Sequence, residues 1–428
     1  MMSVRDTLED RLARIGAGDP AVFTRLYPDS ARAAADAADA RRRDGLSLGP
    51  LDGAIVSIKD LFDVAGETTT AGSVLLAGAP PAASDAPVVA RLRRAGAVIL
   101  AKTNMSEFAF SGLGLNPHYG TPGNAADPAR IPGGSSAGAG VSVGQGTSDV
   151  SIGSDTGGSV RIPASLNGVV GFKPTARRVP LAGAFPLSYA LDSLGPLART
   201  VADCAAADAV MAGEEPAPLD AFPVAGLRIG VPRGLLFTET EPLVAEAFER
   251  ALARLSAAGA RVIDHPIDDL LAAMDGALPD GSLAAIEAAA IHADWLDAQA
   301  ESYDPRVHRR ILAGRAAPAT RYIRTLRRRA ELIASLDGRL APLDLLALPA
   351  TATTAPLIAP LEADDAAFLA ANRLMLRNTA FGNFFDLTGL SLPMPDLARP
   401  AGLMLLARHG QDRRLLALGA GIEAVLAG

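Results

Sequence analysis

VVARLRRAGAVILAKT, residues 88–103, reads as a helix that passes through a glycine into a strand. Val88, Val89 and Leu92 fall on one face at helical spacing, Gly96 interrupts the pattern, and the aliphatic run that follows suits a buried strand. The same unit recurs at 242–265, where PLVAEAFERALARLSAAG is followed by ARVIDH. Further strand candidates are AIVSIKD (54–60), LRIGVP (227–232), DLLALPA (344–350) and GLMLLA (402–407). Alternating helices and short apolar strands predict an α/β fold with helices covering both faces of a largely buried sheet. The Pro- and acid-rich stretch AGEEPAPLDAFPVAG (212–226) is linker-like. Strand signals on its two sides resemble one another, so it is expected to be a surface excursion within a single domain spanning 1–428.

With 428 residues, 49% of them apolar and 20% charged, the chain can bury a large core. A net charge of −7, with Lys/Arg clusters only in ARRR (40–43), RLRR (91–94) and RTLRRRAE (324–331), argues against a nucleic-acid surface. The charged N-terminal stretch carries no hydrophobic signal core, and no uncharged apolar run reaches the ~18 residues of a membrane span. A cytoplasmic location with no membrane partner is expected. The only cysteine, Cys204, follows a T-x-x-D capping box, Thr200 to Asp203, that opens the helix TVADCAAADAVM, so it is expected to be a small core residue.

The chemistry is concentrated in a Gly/Ser-rich run in two halves, GGSSAGAG (133–140) and GSDTGGSVRIPA (153–164), with a lysine upstream in SIKD (57–60). A serine hydroxyl needs a neighbouring base to act as a nucleophile, which makes Lys59, Ser135 and Ser159 candidate catalytic side chains. Three other motifs compete for the region. GAGVSVG (138–144) has the wrong spacing for a dinucleotide loop, and no phosphate-binding G-x-x-x-x-G-K-[ST] is present. GSSAG (134–138) satisfies G-x-S-x-G, with Ser136 as the nucleophile of an alternative Ser/His/Asp esterase. That reading needs a histidine, but His118, His265, His292, His308 and His409 all lie in loop, strand-end or helix contexts that suit structural roles.

SIKD, KTNMSEFAFSG (102–112), NPHYGTPGNAADPARIPGGSSAGAG (116–140), SIGSDTGGSVRIPASLNGVVGFKPT (151–175) and LDSLGPLARTVADC (191–204) together resemble the amidase signature family. The likeness is continuous over about 50–205 and returns in LLALPATATTAPL, NTAFGNFFDLTGLSLPMP and GLMLLARHGQDRRLLALG. This resemblance implies a single α/β/α domain around a large mixed, twisted sheet. It implies hydrolysis of a small-molecule carboxamide, releasing ammonia or an amine, without metal or cofactor. By the same resemblance Lys59 is the base, Ser135, after a cis peptide bond, is the proton relay, and Ser159 is the nucleophile. The backbone N–H groups of Thr156, Gly157, Gly158 and Ser159 map onto the oxyanion hole. Gly157-Gly158 independently permits the tight turn such convergence needs.

Bringing a lysine from near 10.4 to about 7.5 requires roughly 4 kcal/mol against the ammonium, which burial can supply. Asp60, next along a strand, points to the opposite face and leaves Lys59 on its own side. Candidate substrate contacts are Met105, Phe108, Asp155, Arg161 and Phe185, with Phe110, Leu187 and Tyr189 as further pocket candidates. Arg161 either pairs with an anionic substrate or is held by Asp155, and Asp192 is expected to brace the catalytic loops. Arg177, in TARRVPLAG (175–183), stands where the family often has glycine. A glutamine-dependent amidotransferase subunit is the second reading from the resemblance, and homodimerisation is left open.

Overall fold

The computed structural model describes residues 2–278 and 281–428. Its strands are β1 (Phe23–Leu26), β2 (Ile55–Lys59), β3 (Val98–Thr103), β4 (Val150–Asp155), β5 (Val170–Lys173), β6 (Ser193–Ala198), β7 (Arg228–Val231), β8 (Arg261–Asp264), β9 (Leu345–Pro349), β10 (Thr388–Pro393) and β11 (Gly402–Ala407). They form one mixed 11-stranded sheet in the order β1-β3-β2-β4-β6-β5-β10-β11-β9-β7-β8. β2 runs parallel to β3 and β4, and β7 runs parallel to β8 and β9, whereas β4–β6 and the central β5, β10 and β11 pairings are antiparallel.

Side chains alternate across a strand, and here the alternation sorts the core into two layers. Leu345 and Ala347 of β9, with Leu403, Leu405 and Ala407 of β11, join the cluster built on the helices Pro87–Arg94, Val201–Ala212, Pro242–Ala257 and Asp412–Ala427. Leu346, Leu348, Met404 and Leu406, one position out of step, pack with Leu332, Leu336, Phe381 and Phe384 from the helices Ala319–Leu340 and Asp365–Phe384. Both faces of the sheet are therefore covered, as the alternating pattern predicts.

Every strand candidate named from the sequence forms, as does the helix–glycine–strand unit at 88–103. Pro87 takes the first helical position and Gly96 turns with φ 81°. The Thr200 hydroxyl accepts the Asp203 N–H at 3.1 Å, and Cys204 is fully buried. Residues 213–227 form no helix or strand and are mostly exposed. Among the described residues no helix is long and apolar enough to cross a membrane.

Parallel β2 and β4 end on one edge of the sheet, and antiparallel β6 begins there, with Asp155 opposite Ser193. Lys59, Ser154, Asp155 and Asp192 thus converge at the carboxyl ends of adjacent parallel strands, where α/β sheets commonly open into a crevice.

Candidate active site

Lys59 is the last residue of β2 and its side chain is fully buried. Its Nζ lies 2.7 Å from the Ser135 hydroxyl and 2.8 Å from that of Ser154. Burial pulls the Lys59 pKa down to about 7, the Asp192 and Asp155 charges opposing that fall only in part. Asp60 instead faces Lys102, at 3.1 Å. Ser154 was not singled out from the sequence, because GSD at a strand end reads as ordinary turn chemistry.

Ser135 follows a cis Gly134–Ser135 peptide and stands just before the helix Ala137–Gly144. The Ser136 N–H donates to the Ser159 carbonyl at 3.3 Å, tying the two serine loops together. Ser136 turns its own hydroxyl to the Ser154 carbonyl, also at 3.3 Å. Gly153 makes this packing possible, because a Cβ there would stand 2.6 Å from the Ser136 Oγ.

Ser159 lies in the turn between β4 and the helix Arg161–Asn167. Gly158 has φ 135°, and a Cβ on it would fall 2.1 Å from Thr379 Oγ1, so the turn requires glycine there. Thr379 in turn donates to the Gly157 carbonyl at 2.6 Å. Among the described residues, the N–H groups of Thr156, Gly157 and Ser159 have no partner within the protein. The Gly158 N–H departs from the expected set of four, since it already donates to Asp155 Oδ1 at 2.9 Å.

Asp155 and Arg161 form a pair with both side chains at 0% exposure, Arg161 Nη2 to Oδ1 at 2.9 Å and Nε to Oδ2 at 3.0 Å. The same carboxylate accepts from Val160 N–H at 3.1 Å and from Asn383 Nδ2 at 2.9 Å. Burial alone would raise the Asp155 pKa, but Arg161, Lys173 and Asn383 outweigh it and hold it at about 2. Asn383 also accepts from Arg161 Nη2 at 2.6 Å. Thr379 and Asn383 are thus supports that sequence reasoning missed, and their signal was polar residues interrupting the apolar helix NTAFGNFF.

Buried lysine, paired serines and free turn amides are the parts of a serine amidohydrolase, and the whole chain compares accordingly. The Amidase family model matches residues 6–416. The chain is 41% identical over 407 residues to the 2-amino-5-chloromuconic acid deaminase of Comamonas testosteroni, covering 92% of this chain and 86% of that one. It is 36% identical over 448 residues to a glutamyl-tRNA(Gln) amidotransferase subunit of Chloroflexus aurantiacus, covering 95% and 90%. A solved amidase structure superposes with TM-score 0.88 at 36% identity, covering 99% of this chain and 96% of that one. The chain belongs to the amidase family. It is an amidohydrolase acting on carbon–nitrogen bonds.

Two cavities flank Thr156 in this amidase. One, of about 160 Å³, is lined by Ser159, Thr156, Gly157, Phe110, Leu187 and Arg310 among others. The second, of about 300 Å³, reaches Ser154, Asp192, Phe185 and the exposed Tyr189, and shares Ala109, Thr156 and Leu187 with the first. Phe185 therefore lies where a pocket residue was expected.

Four other expected substrate contacts do not. Met105 is fully buried beneath Gly72, and Phe108 is 1% exposed behind Phe185, its ring 5.3 Å from that ring and 4.4 Å from His292. Both are core, because their apolar side chains found a larger buried surface inward than toward the crevice. Asp155 and Arg161 are spent on each other and on the turn, and no side-chain surface remains for a substrate.

None of the histidines bonds Ser136. His118 faces Glu107 at 2.9 Å, His292 bonds Tyr303 at 3.0 Å, His308 bonds the Leu296 carbonyl at 2.8 Å, and His409 faces Asp386 at 3.1 Å. Burial lowers the His265 pKa, and its Nε2 has no partner among the described residues. Asp192 braces the crevice as expected, accepting from the Thr156 hydroxyl and from the N–H groups of Leu187 at 2.9 Å and Ser188 at 3.0 Å. Arg177 holds φ 67°, the left-handed region that favours glycine, and its exposed guanidinium reaches Asp386 at 3.4 Å.

Proposed function

We propose that Ser159 carries the acyl group in this enzyme. Neutral Lys59 takes a proton from the Ser135 hydroxyl, Ser135 takes one from Ser159, and the Ser159 oxygen attacks the amide carbon. The tetrahedral oxyanion is met by the N–H groups of Thr156, Gly157 and Ser159, the three turn amides with no partner among the described residues. Collapse breaks the C–N bond while the proton passes back through Ser135 to the leaving nitrogen. Water then enters, gives its proton to the same relay and releases the acid. The observation that carries this reading is a fully buried lysine, its pKa pulled down to about 7, set 2.7 Å from Ser135.

Its substrate is a small-molecule amide, in keeping with a relative named as a deaminase of an amino-muconic acid. The chain works as one catalytic unit in the cytoplasm, with residues 212–226 a surface excursion of that unit. The second reading comes from the amidotransferase relative, and in it a partner chain receives ammonia.

Ammonia or amine release from a panel of aliphatic, aromatic and ureido amides tests both readings. Ser159→Ala should abolish turnover and Lys59→Ala should nearly do so, while Ser135→Ala leaves a trace through a bridging water. Full activity in Ser159→Ala refutes the mechanism. Turnover that appears only after a second protein chain is added moves this one to the amidotransferase class. Size-exclusion chromatography of the active enzyme decides between monomer and homodimer.

A further inference from the structure

Ser159 lines the first cavity and not the second, whereas Ser154 and Asp192 line the second and not the first. Lys59 Nζ joins the two sides, 2.7 Å from the Ser135 hydroxyl and 2.8 Å from that of Ser154. An amide is planar, so its acyl part and its nitrogen substituent diverge from the carbonyl carbon that Ser159 attacks. The nitrogen must face the group that returns the proton, which is Ser135 backed by Lys59. The Ser154 side of that lysine is where the second cavity begins.

That cavity is too large for ammonia alone. It holds about 300 Å³. A departing ammonia is the size of a water, whose share of the liquid is roughly 30 Å³, and would leave most of the space empty. The walls are largely apolar, built by Leu61, Leu181, Ala184, Phe185, Pro186 and Leu194, and Asp192 is the single charged side chain among the described residues lining them. Burial pushes the Asp192 carboxyl up to about 6, so it is an anion at neutral pH, and the Thr156 hydroxyl and the Leu187 and Ser188 N–H groups already donate to it. An apolar substituent gains by leaving water for these walls, while a carboxylate there meets a like charge.

The wall is preformed. The Phe185 N–H donates to the Leu61 carbonyl at 2.8 Å and the Asp63 N–H to the Gly183 carbonyl at 2.7 Å. Glu287 accepts from the Ser188 hydroxyl and from the Ala190 N–H, the latter at 3.1 Å. The Phe185 ring rests on Phe108 and Trp295, with centroids 5.3 and 6.4 Å away. A cavity already ordered spends little binding energy on its own closure.

We propose that the second cavity receives the amine half of the substrate, so that the enzyme cleaves N-substituted amides whose nitrogen carries an uncharged apolar group such as a branched alkyl or benzyl. This deepens the assignment of Ser159 as nucleophile and rests on it. As the C–N bond breaks, the nitrogen keeps the bonding pair and receives the proton that Ser159 gave to Ser135. The neutral amine departs past Tyr189, which lines the cavity and is 66% exposed, and water then releases the acid.

The test uses the purified full chain and one acyl group, that of the best primary amide, joined to methylamine, isobutylamine, benzylamine and glycine. The four share one acyl-enzyme, so differences in kcat/KM come from binding and acylation. Wild type should favour the N-isobutyl over the N-methyl amide by about thirtyfold, roughly threefold for each of three more buried carbons. The glycine conjugate, in which a carboxylate replaces the isopropyl group, should fall at least about tenfold below the N-isobutyl amide. Leu181→Ala widens the cavity and should raise the ratio of N-benzyl to N-isobutyl turnover by about fivefold, while Ala184→Leu narrows it and should lower that ratio by about as much.

The rate of Ser159 labelling by an uncharged fluorophosphonate, whose leaving group is only fluoride, should be the same in wild type and both variants, showing that fold and nucleophile are intact. If Ala184→Leu does not fold, Leu181→Ala alone decides. An N-isobutyl amide no better than the N-methyl amide in wild type overturns the proposal. So does an unchanged ratio of N-benzyl to N-isobutyl in Leu181→Ala with normal labelling. Absence of labelling in wild type is the separate failure, that of Ser159 as nucleophile.

Discussion

Replacing Arg161 with methionine should destabilise the protein heavily while sparing any direct substrate contact. Arg161 and Asp155 are each at 0% exposure, joined by two hydrogen bonds of 2.9 and 3.0 Å, and the substitution leaves the Asp155 charge buried without its cation. Breaking a buried pair from one side costs about 3–5 kcal/mol, mostly because the remaining charge has no water. Asn383 Nδ2 and the Gly158 and Val160 N–H groups still donate to that carboxylate, so the lower part of the range, about 3 kcal/mol, is expected.

Urea unfolding can be followed through Trp295, the only tryptophan, which stacks against Phe185 at 6.4 Å and so reports on the crevice. Asp155→Asn should also destabilise, and the double variant should lose less than the sum of the two by more than about 1 kcal/mol, as for residues in one network. A loss below about 1 kcal/mol in Arg161→Met, combined with a KM rise confined to anionic amides, would refute the reasoning and return Arg161 to the substrate.

Three further outcomes follow from the site. The rate should rise as pH climbs through about 7 and then level, because the relay needs Lys59 neutral and burial has lowered its pKa to that value; kcat/KM against pH checks this, and a limb near 10 contradicts it. Asp192→Asn removes a negative charge that favours the Lys59 ammonium, so the same limb should shift to lower pH by about one unit, and an unmoved or higher limb counts against the electrostatics. Ser136→Ala loses one hydrogen bond to the Ser154 carbonyl, costing about 1 kcal/mol in unfolding while leaving acylation intact; an inactive, folded variant would revive the esterase reading.

Much of the fold is legible because apolar strands beside amphipathic helices announce themselves. β2, β3, β7, β8, β9 and β11 read as strands from aliphatic runs bounded by glycine or proline. β4, β5 and β6 do not, for VSIGSD, VGFK and SLGPLA carry glycine, serine and, in β6, Pro196, residues that score as loop. They are strands because they pair with their neighbours in the sheet, and small residues let β4 and Ser136 approach closely at Gly153.

In the site, the candidate triad was visible as motifs, since the geometry needed tight glycine turns near one lysine. The pocket was not. Met105 and Phe108 belong to a motif-rich segment, yet nothing local says that their side chains point to the core. Arg310 comes from a helix some 150 residues after Ser159 in sequence, where Arg306, His308 and Arg309 before it read as a solvated face. Only tertiary packing sets it in the cavity.

The most direct test of the central claim is to trap the acyl-enzyme. Mixing the enzyme with an activated ester of a small acid, quenching in acid within the first turnover and mapping peptides by mass spectrometry should place the acyl mass on Ser159, with none on Ser136 and no trapped adduct in Ser159→Ala. An acyl group found on Ser136 or on any other residue, or full turnover by Ser159→Ala with no covalent species, would contradict the account.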